Sequence, residues 1–282
     1  NVADTTRTYG TPSTTVGSGS TLTGFVGADS ITIGTDGTYT YNVNNNGSSS
    51  TGGSTLAYAT DKNAATTNAG TYADTIAVAT ASKTTLNSNL NNYSVNYGTG
   101  DMTVDKAALT FVVADKSKTY GDANPTLTGS FTASGFKNSD SITVDSTTGL
   151  VSAVSLNNNG STVTDTTTAG SLVYSTAINT TSNAKAYTDA INASGFGLTN
   201  YDVTYDNGNM TVTPKELAFT VANTERTYGT ASDTLGSGST LTGFVNGDSV
   251  TVDASSANST GYSYSMNNDG SATKVTGTGS LG

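Results

Sequence analysis

The chain has 282 residues, a formal charge of −10, and no Cys, His or Trp; only 11% of it is charged, and Thr, Ser, Asn and Gly dominate. Without thiols there are no disulfides and no thiolate metal sites. An acidic surface argues against nucleic acid as a partner, because phosphate binding needs Lys and Arg to displace counterions, and no apolar stretch approaches the roughly 20 residues that cross a bilayer, so no membrane insertion is expected within this segment.

The first landmark is Val2-Ala3-Asp4-Thr5-Thr6-Arg7-Thr8-Tyr9-Gly10. It returns as Val113-Ala114-Asp115-Lys116-Ser117-Lys118-Thr119-Tyr120-Gly121 and as Val221-Ala222-Asn223-Thr224-Glu225-Arg226-Thr227-Tyr228-Gly229, so the Tyr-Gly pairs lie 111 and then 108 residues apart. Next in order come a Gly-Phe pair (Gly24-Phe25, Gly135-Phe136, Gly243-Phe244) and an Asp-Ser pair (Asp29-Ser30, Asp140-Ser141, Asp248-Ser249). An Asn-rich turn follows: Asn44 to Gly47, Asn157 to Gly160, Asn267 to Gly270. Two copies continue through Asn92-Tyr93-Ser94-Val95-Asn96-Tyr97 or Asn200-Tyr201-Asp202-Val203-Thr204-Tyr205 to a closing Met-Thr-Val at Met102 or Met210.

Self-similarity at a fixed period means one structural unit repeated. The units are 1–106, 107–214 and a C-terminally shortened 215–282. Residues 7 to 33 and 226 to 252 agree at 20 of 27 positions without a gap, whereas the middle copy departs over the same stretch. The array therefore reads A-B-A, with a period of two units, and the chain reads as a segment of a longer array, any targeting signal lying outside it.

Within each unit the apolar pattern has period 2, as in Tyr39-Thr40-Tyr41-Asn42-Val43 and Tyr262-Ser263-Tyr264-Ser265-Met266, which marks half-buried strands. Thr, Val and Tyr pack well on a pleated surface. Asn207-Gly208, between Val203-Thr204-Tyr205 and Met210-Thr211-Val212, predicts a tight hairpin. The helical candidates are 183–192 and 71–81, both short and Ala-containing. Stretches 102–113 and 210–221 run out of one unit and into the next with no Gly/Ser linker, which limits rotation between units. Pro214 suits a strand end. The expected fold is all-β: tandem β-sandwich-like or β-grasp-like modules strung end to end as an elongated rod, with at most short helical turns.

The middle unit opens Lys118-Thr119-Tyr120-Gly121-Asp122-Ala123-Asn124-Pro125 and closes Gly208-Asn209-Met210-Thr211-Val212-Thr213-Pro214. With the Gly-Phe and Asn-Tyr-Asp-Val-Thr-Tyr landmarks it resembles the MBG-type repeats of bacterial surface adhesins, found in tandem in filamentous-haemagglutinin-like exoproteins. The outer units depart from that pattern, with Thr11 or Thr230 where it has Asp. The resemblance implies a cell-surface, extracellular location and a stalk or adhesive role, and it identifies no ligand.

The recurring Tyr9, Tyr120 and Tyr228 read either as a sugar platform or as core or inter-module residues, each followed by a Gly in a turn that a Cβ would strain. Recurrence favours the structural reading, because a fold element must return in every unit. Asp29, Asp140 and Asp248 invite a Ca²⁺ site, but no dense run of oxygen ligands accompanies them, and a turn-forming Asp bonding its own backbone two residues on is the simpler reading. No metal or cofactor is expected. Asp202 and Asp206 share a strand face, yet Ser94 and Gly98 stand at their places in the first unit. With no His or Cys, the usual base–nucleophile pairs are missing, and Glu216 and Glu225, the only glutamates, sit at the second junction; no enzyme is expected. Lys106, Lys116, Lys118 and Lys215 offer no recurring Lys/Asn/acid trio for an isopeptide cross-link. Asn-x-Ser/Thr triplets at Asn46, Asn92, Asn159, Asn179, Asn192, Asn209 and Asn258 are common by chance in so Asn- and Thr-rich a chain. Two function classes remain: a stalk that extends a distal adhesive tip, or repeats that themselves bind host glycan or matrix polysaccharide. Chain-to-chain association into a matrix filament is a variant of the first.

Overall fold

The computed structural model describes residues 1–127, 131–145, 148, 150–232, 238–253, 260–267 and 274–281. The Asn258 triplet and residues 268–270 of the third Asn-rich turn lie outside them. The described chain is β apart from one short helix. In the first unit the elements are β1 (Thr5–Thr8), β2 (Ser30–Ile33), β3 (Thr38–Asn45), β4 (Ser48–Thr55), β5 (Tyr58–Ala59), β6 (Gly70–Val78), α1 (Thr80–Asn89) and β7 (Gly100–Asp105). The second holds β8 (Ala107–Val113), β9 (Lys116–Thr119), β10 (Phe131–Ser134), β11 (Ser141–Val144), β12 (Val151–Asn158), β13 (Ser161–Val163), β14 (Val173–Ser175), β15 (Ala186–Ser194), β16 (Tyr201–Asp206) and β17 (Gly208–Thr213). The third holds β18 (Ala218–Thr220), β19 (Thr240–Thr242), β20 (Ser249–Asp253), β21 (Thr260–Met266) and β22 (Val275–Leu281).

The second unit shows the plan. Three small sheets run β10-β8-β16, β14-β15-β17-β9 and β11-β12-β13. Its first two strands and its last two pair in parallel: β8 with β16 from Ala107↔Tyr201, and β9 with β17 to Thr119↔Thr213. Both chains break side by side, at Ala114-Asp115 and at Asn207, and cross together into the next sheet. The expected hairpin at Asn207-Gly208 is therefore not formed; β16 runs on into β17 in the same direction. Gly208 is needed for another reason: a Cβ there would lie 2.7 Å from the Ala114 carbonyl oxygen. The Asp115 carboxylate spans the crossing by accepting the Asn209 N–H at 2.7 Å, and Asp4 does the same for Asp101 at 2.8 Å.

Asn-Gly turns do close the meander. Asn46 (φ 51°) and Gly47 (φ 84°) join β3 to β4, and Asn159 (φ 48°) and Gly160 (φ 88°) join β12 to β13, the left-handed pair a two-residue hairpin requires.

Both helical candidates are strands instead. Residues 71–81 fall mostly in β6, and 183–192 mostly in β15. Each carries Tyr-x-Asp-x-Ile, and each ladder shifts register between that Tyr and that Ile. The bulge sets four residues against two of the partner strand, with Asp74 at φ 56° and Asp189 at φ 51°, and the Tyr and Ile, four apart, would share a face of a helix as readily as of a strand. The one helix, α1, follows β6 in a connection the second unit lacks: Val78 and Tyr93 are 15 residues apart, Ser194 and Tyr201 only 7. Its Thr- and Asn-rich sequence is a poor helix former, and burial of Leu86 at 2% exposure, with Leu90 beside it at 0%, supports it.

Residues 93–97 repeat the pattern of β16 but are not a strand in the first unit. Asn1 and Thr21 exchange N–H···O bonds at 2.7 and 3.0 Å, and residues 93–97 join no ladder. A period-2 pattern without a partner makes no ladder. A single buried cluster runs from the first unit (Tyr9, Met102, Val104) into the second (Leu109, Leu156, Tyr201).

Candidate functional site: the joint between modules

The joint starts at the end of the second-strand segment of each unit, β1 or β9. Arg7 and Lys118, two residues ahead of the Tyr-Gly pair, turn inward and are 6% and 8% exposed. Arg7 donates to the carbonyls of Lys62 at 2.9 Å and Ala64 at 2.6 Å. Lys118 donates to those of Asp122 at 2.8 Å and Asn179 at 2.5 Å. Burial pulls both cations below their usual pKa, partly offset for Lys118 by Asp122. The bonds hold a loop, 64–67 or 179–182, against the Tyr-Gly turn, where Gly10 and Gly121 donate to Ala65 and Thr180 carbonyls, each at 3.1 Å.

That assembly grips the next unit, in the same way twice. Tyr9 donates its hydroxyl to Asp140 Oδ2 at 2.9 Å, and Tyr120 to Asp248 Oδ2 at 2.7 Å. The Asn138 amide donates to the Ala65 carbonyl at 3.0 Å and Asn246 to Thr180 at 2.8 Å. The Asn157 amide reaches Thr66 at 2.6 Å and Asn267 reaches Thr181 at 3.3 Å. The backbone N–H groups of Asn157 and Asn267 donate to Oδ1 of Asp140 and Asp248, both at 2.6 Å. Asp140 and Asp248 are thus inter-module acceptors, which corrects their reading as turn residues bonding their own backbone two residues on. A buried carboxylate demands donors, and here they come from two units.

The two joints differ in their third donor. Tyr201 gives Asp140 Oδ2 a second hydroxyl at 2.5 Å, and its ring stands edge-on to Tyr9 at 5.5 Å. Burial, and then the carboxylate, raise the pKa of both tyrosines. In the second joint Lys274 Nζ contacts Asp248 Oδ1 at 3.2 Å. Burial there opposes ionisation, but Tyr120, the Asn267 N–H and Lys274 outweigh it and hold the Asp248 carboxyl below its ordinary pKa. A cleft of ≈ 460 Å³ lined by Tyr120, Phe244, Val245 and Asp248 lies beside the second joint. The first joint adds an asparagine network: Asn68 bonds Asn158 at 2.6 Å, Asn159 at 3.0 Å and Asn200 at 3.1 Å.

Tyr228 and Asp29 make no such inter-module contact among the described residues. Tyr228 is 100% exposed. Asp29 accepts from Tyr93 within its own unit at 2.6 Å, and Val26, at the position of Lys137 and Val245, is 69% exposed. The remaining candidates gather into no site. Asp202, Asp206, Glu216 and Glu225 are exposed, and among the described residues no three carboxylates meet. Lys118 is committed to carbonyls, and Lys215 to Asp122 at 3.7 Å. Of the triplet asparagines, Asn92 donates to the Asn44 carbonyl and Asn209 to Asp115. The inward Arg7 and Lys118 carry a sequence signal: a cation stands two residues before every Tyr-Gly, Arg226 included.

Fold and joint together define an array of β modules that dock through a repeated tyrosine–carboxylate contact. Residues 109–211 match the family model of the MBG domain, YGX type. The match covers the middle unit alone, a little over a third of the chain, and includes Tyr120-Gly121-Asp122; it supports the resemblance of the repeats to MBG-type modules. No curated protein and no solved structure matches the chain.

Proposed function

We propose that this chain is a repetitive stalk region of a bacterial cell-surface adhesin, an extracellular extension that carries a distal adhesive tip and has no catalysis of its own. The observation that supports it is the joint. Every residue recurring between units that was a candidate ligand contact in the sequence is used, in two of its three copies, to fasten one module to the next. A contact that repeats in the same sense, without closing on itself, generates an open array. The accessible surface agrees, at 15551 Å² where a compact monomer of this mass exposes about 11,000 Å².

Small-angle scattering tests the reading. A rod-like chain has a radius of gyration well above the roughly 19 Å of 282 residues packed as one globule; a value at that limit refutes the extended array. Micromolar binding of a glycan or matrix polysaccharide by the isolated chain would replace the passive stalk with a binding module.

A further inference from the structure

The strands that lead into and out of the middle unit are neighbours and parallel. The chain arrives at Lys106 and runs up β8 and β9; it leaves by β16 and β17 and ends the unit at Pro214. β8 and β16 share six residue pairs and β9 and β17 four. Tension along the array pulls Lys106 one way and Pro214 the other, each along its own strand axis. The two ladders are then loaded in shear, and their rungs share the force. An antiparallel pair pulled from its adjacent ends opens one rung at a time.

Three further features strengthen the arrangement. β8 lies between β10 and β16, and β17 between β15 and β9, so both strands that receive the load are inner strands held on two sides. Their inward side chains are locked in the core: Ala107, Leu109, Phe111 and Val113 are 1%, 0%, 1% and 4% exposed, and Met210 and Val212 0% and 2%. The sliding surfaces are cross-tied, Thr110 to Thr204 at 3.1 Å and Thr213 to the Lys118 carbonyl at 3.2 Å. The first unit repeats the scheme with β1 parallel to β7.

We infer that each module is a shear clamp, and that the array bears tensile load along its axis in addition to spanning a distance. The inference rests on the stalk reading for its purpose, but its mechanics can fail independently. The chain has no cysteine, so introduced pairs serve as unique pulling handles in a single-molecule force experiment. Lys106→Cys with Lys215→Cys loads the unit along the array. Ala184→Cys with Lys215→Cys grips adjacent ends of β15 and β17 and opens that antiparallel pair. All three positions are exposed, and circular dichroism verifies that both variants are folded. At one loading rate the first geometry is expected to rupture at severalfold higher force, because forced unfolding follows the unfolding barrier met along the pulled direction. Equal forces, or a weaker axial geometry, overturn the clamp while leaving the stalk untouched. A compact scattering profile with a strong axial bias would sink the stalk and leave the clamp.

Discussion

Two glycines separate the cost of backbone strain from the cost of breaking a joint. Gly121 and Gly229 occupy the same place in the repeat with nearly the same conformation, φ 89° and 83°. Alanine at either site must hold a left-handed φ, at about 1–2 kcal/mol. Their surroundings differ. A Cβ at Gly121 would lie 2.7 Å from Val245 Cβ in the next unit, whereas one at Gly229 meets nothing within 4 Å. Val245 is short and branched, so its backbone must shift, and overpacking of that kind costs a further ~1–3 kcal/mol. Gly121→Ala is therefore expected to destabilise by about 2–5 kcal/mol and Gly229→Ala by only the shared strain of ~1–2 kcal/mol. Hydrogen exchange read strand by strand is the suitable assay, because a multi-module chain has no single unfolding free energy. Protection should fall across β9, β17 and the first strands of the third unit in Gly121→Ala. Adding Val245→Ala should recover part of the excess, since it removes both methyl groups and leaves only the Val245 Cβ to be displaced. If Gly121→Ala costs no more than Gly229→Ala, or if Val245→Ala rescues nothing, then the Tyr-Gly turn does not carry the joint.

The joint should also weaken in alkali. Burial, then the carboxylate, hold Tyr9, Tyr120 and Tyr201 above their usual pKa, so above about pH 10 the unfolded chain ionises first and binds fewer protons, and stability falls as pH rises; the denaturation midpoint should hold up to about pH 10 and drop above it, and Tyr201→Phe should flatten the drop. Asp248 works at the other end, its lowered pKa contributing stability that is present above about pH 4 and lost as pH falls through the folded value. Chelator should leave the melting temperature unchanged, and a fall restored by Ca²⁺ would point first to Asp29, Asp140 and Asp248.

The sequence by itself determined the repeat, the all-β character and the closeness of successive units, because alternation and Asn-Gly turns are local signals set by side-chain direction and φ. It also marked Tyr9, Tyr120, Asp140 and Asp248 as structural, since a position used in every unit recurs in every unit. Only the tertiary structure decided what those residues touch. The donors to Asp140 come from Tyr9, 131 residues away, and from Tyr201, 61 away, and no local pattern couples such distances. It likewise decided against a hairpin at Asn207-Gly208, where β8 and β9 offer a parallel ladder that keeps the chain running on. Residues 71–81 and 183–192 became mostly strand because ladders with β7 and β17 form on both sides of a bulge, and residues four apart share a face in a helix and in a strand alike. A strand pattern at 93–97 became coil because a strand exists only with its partner.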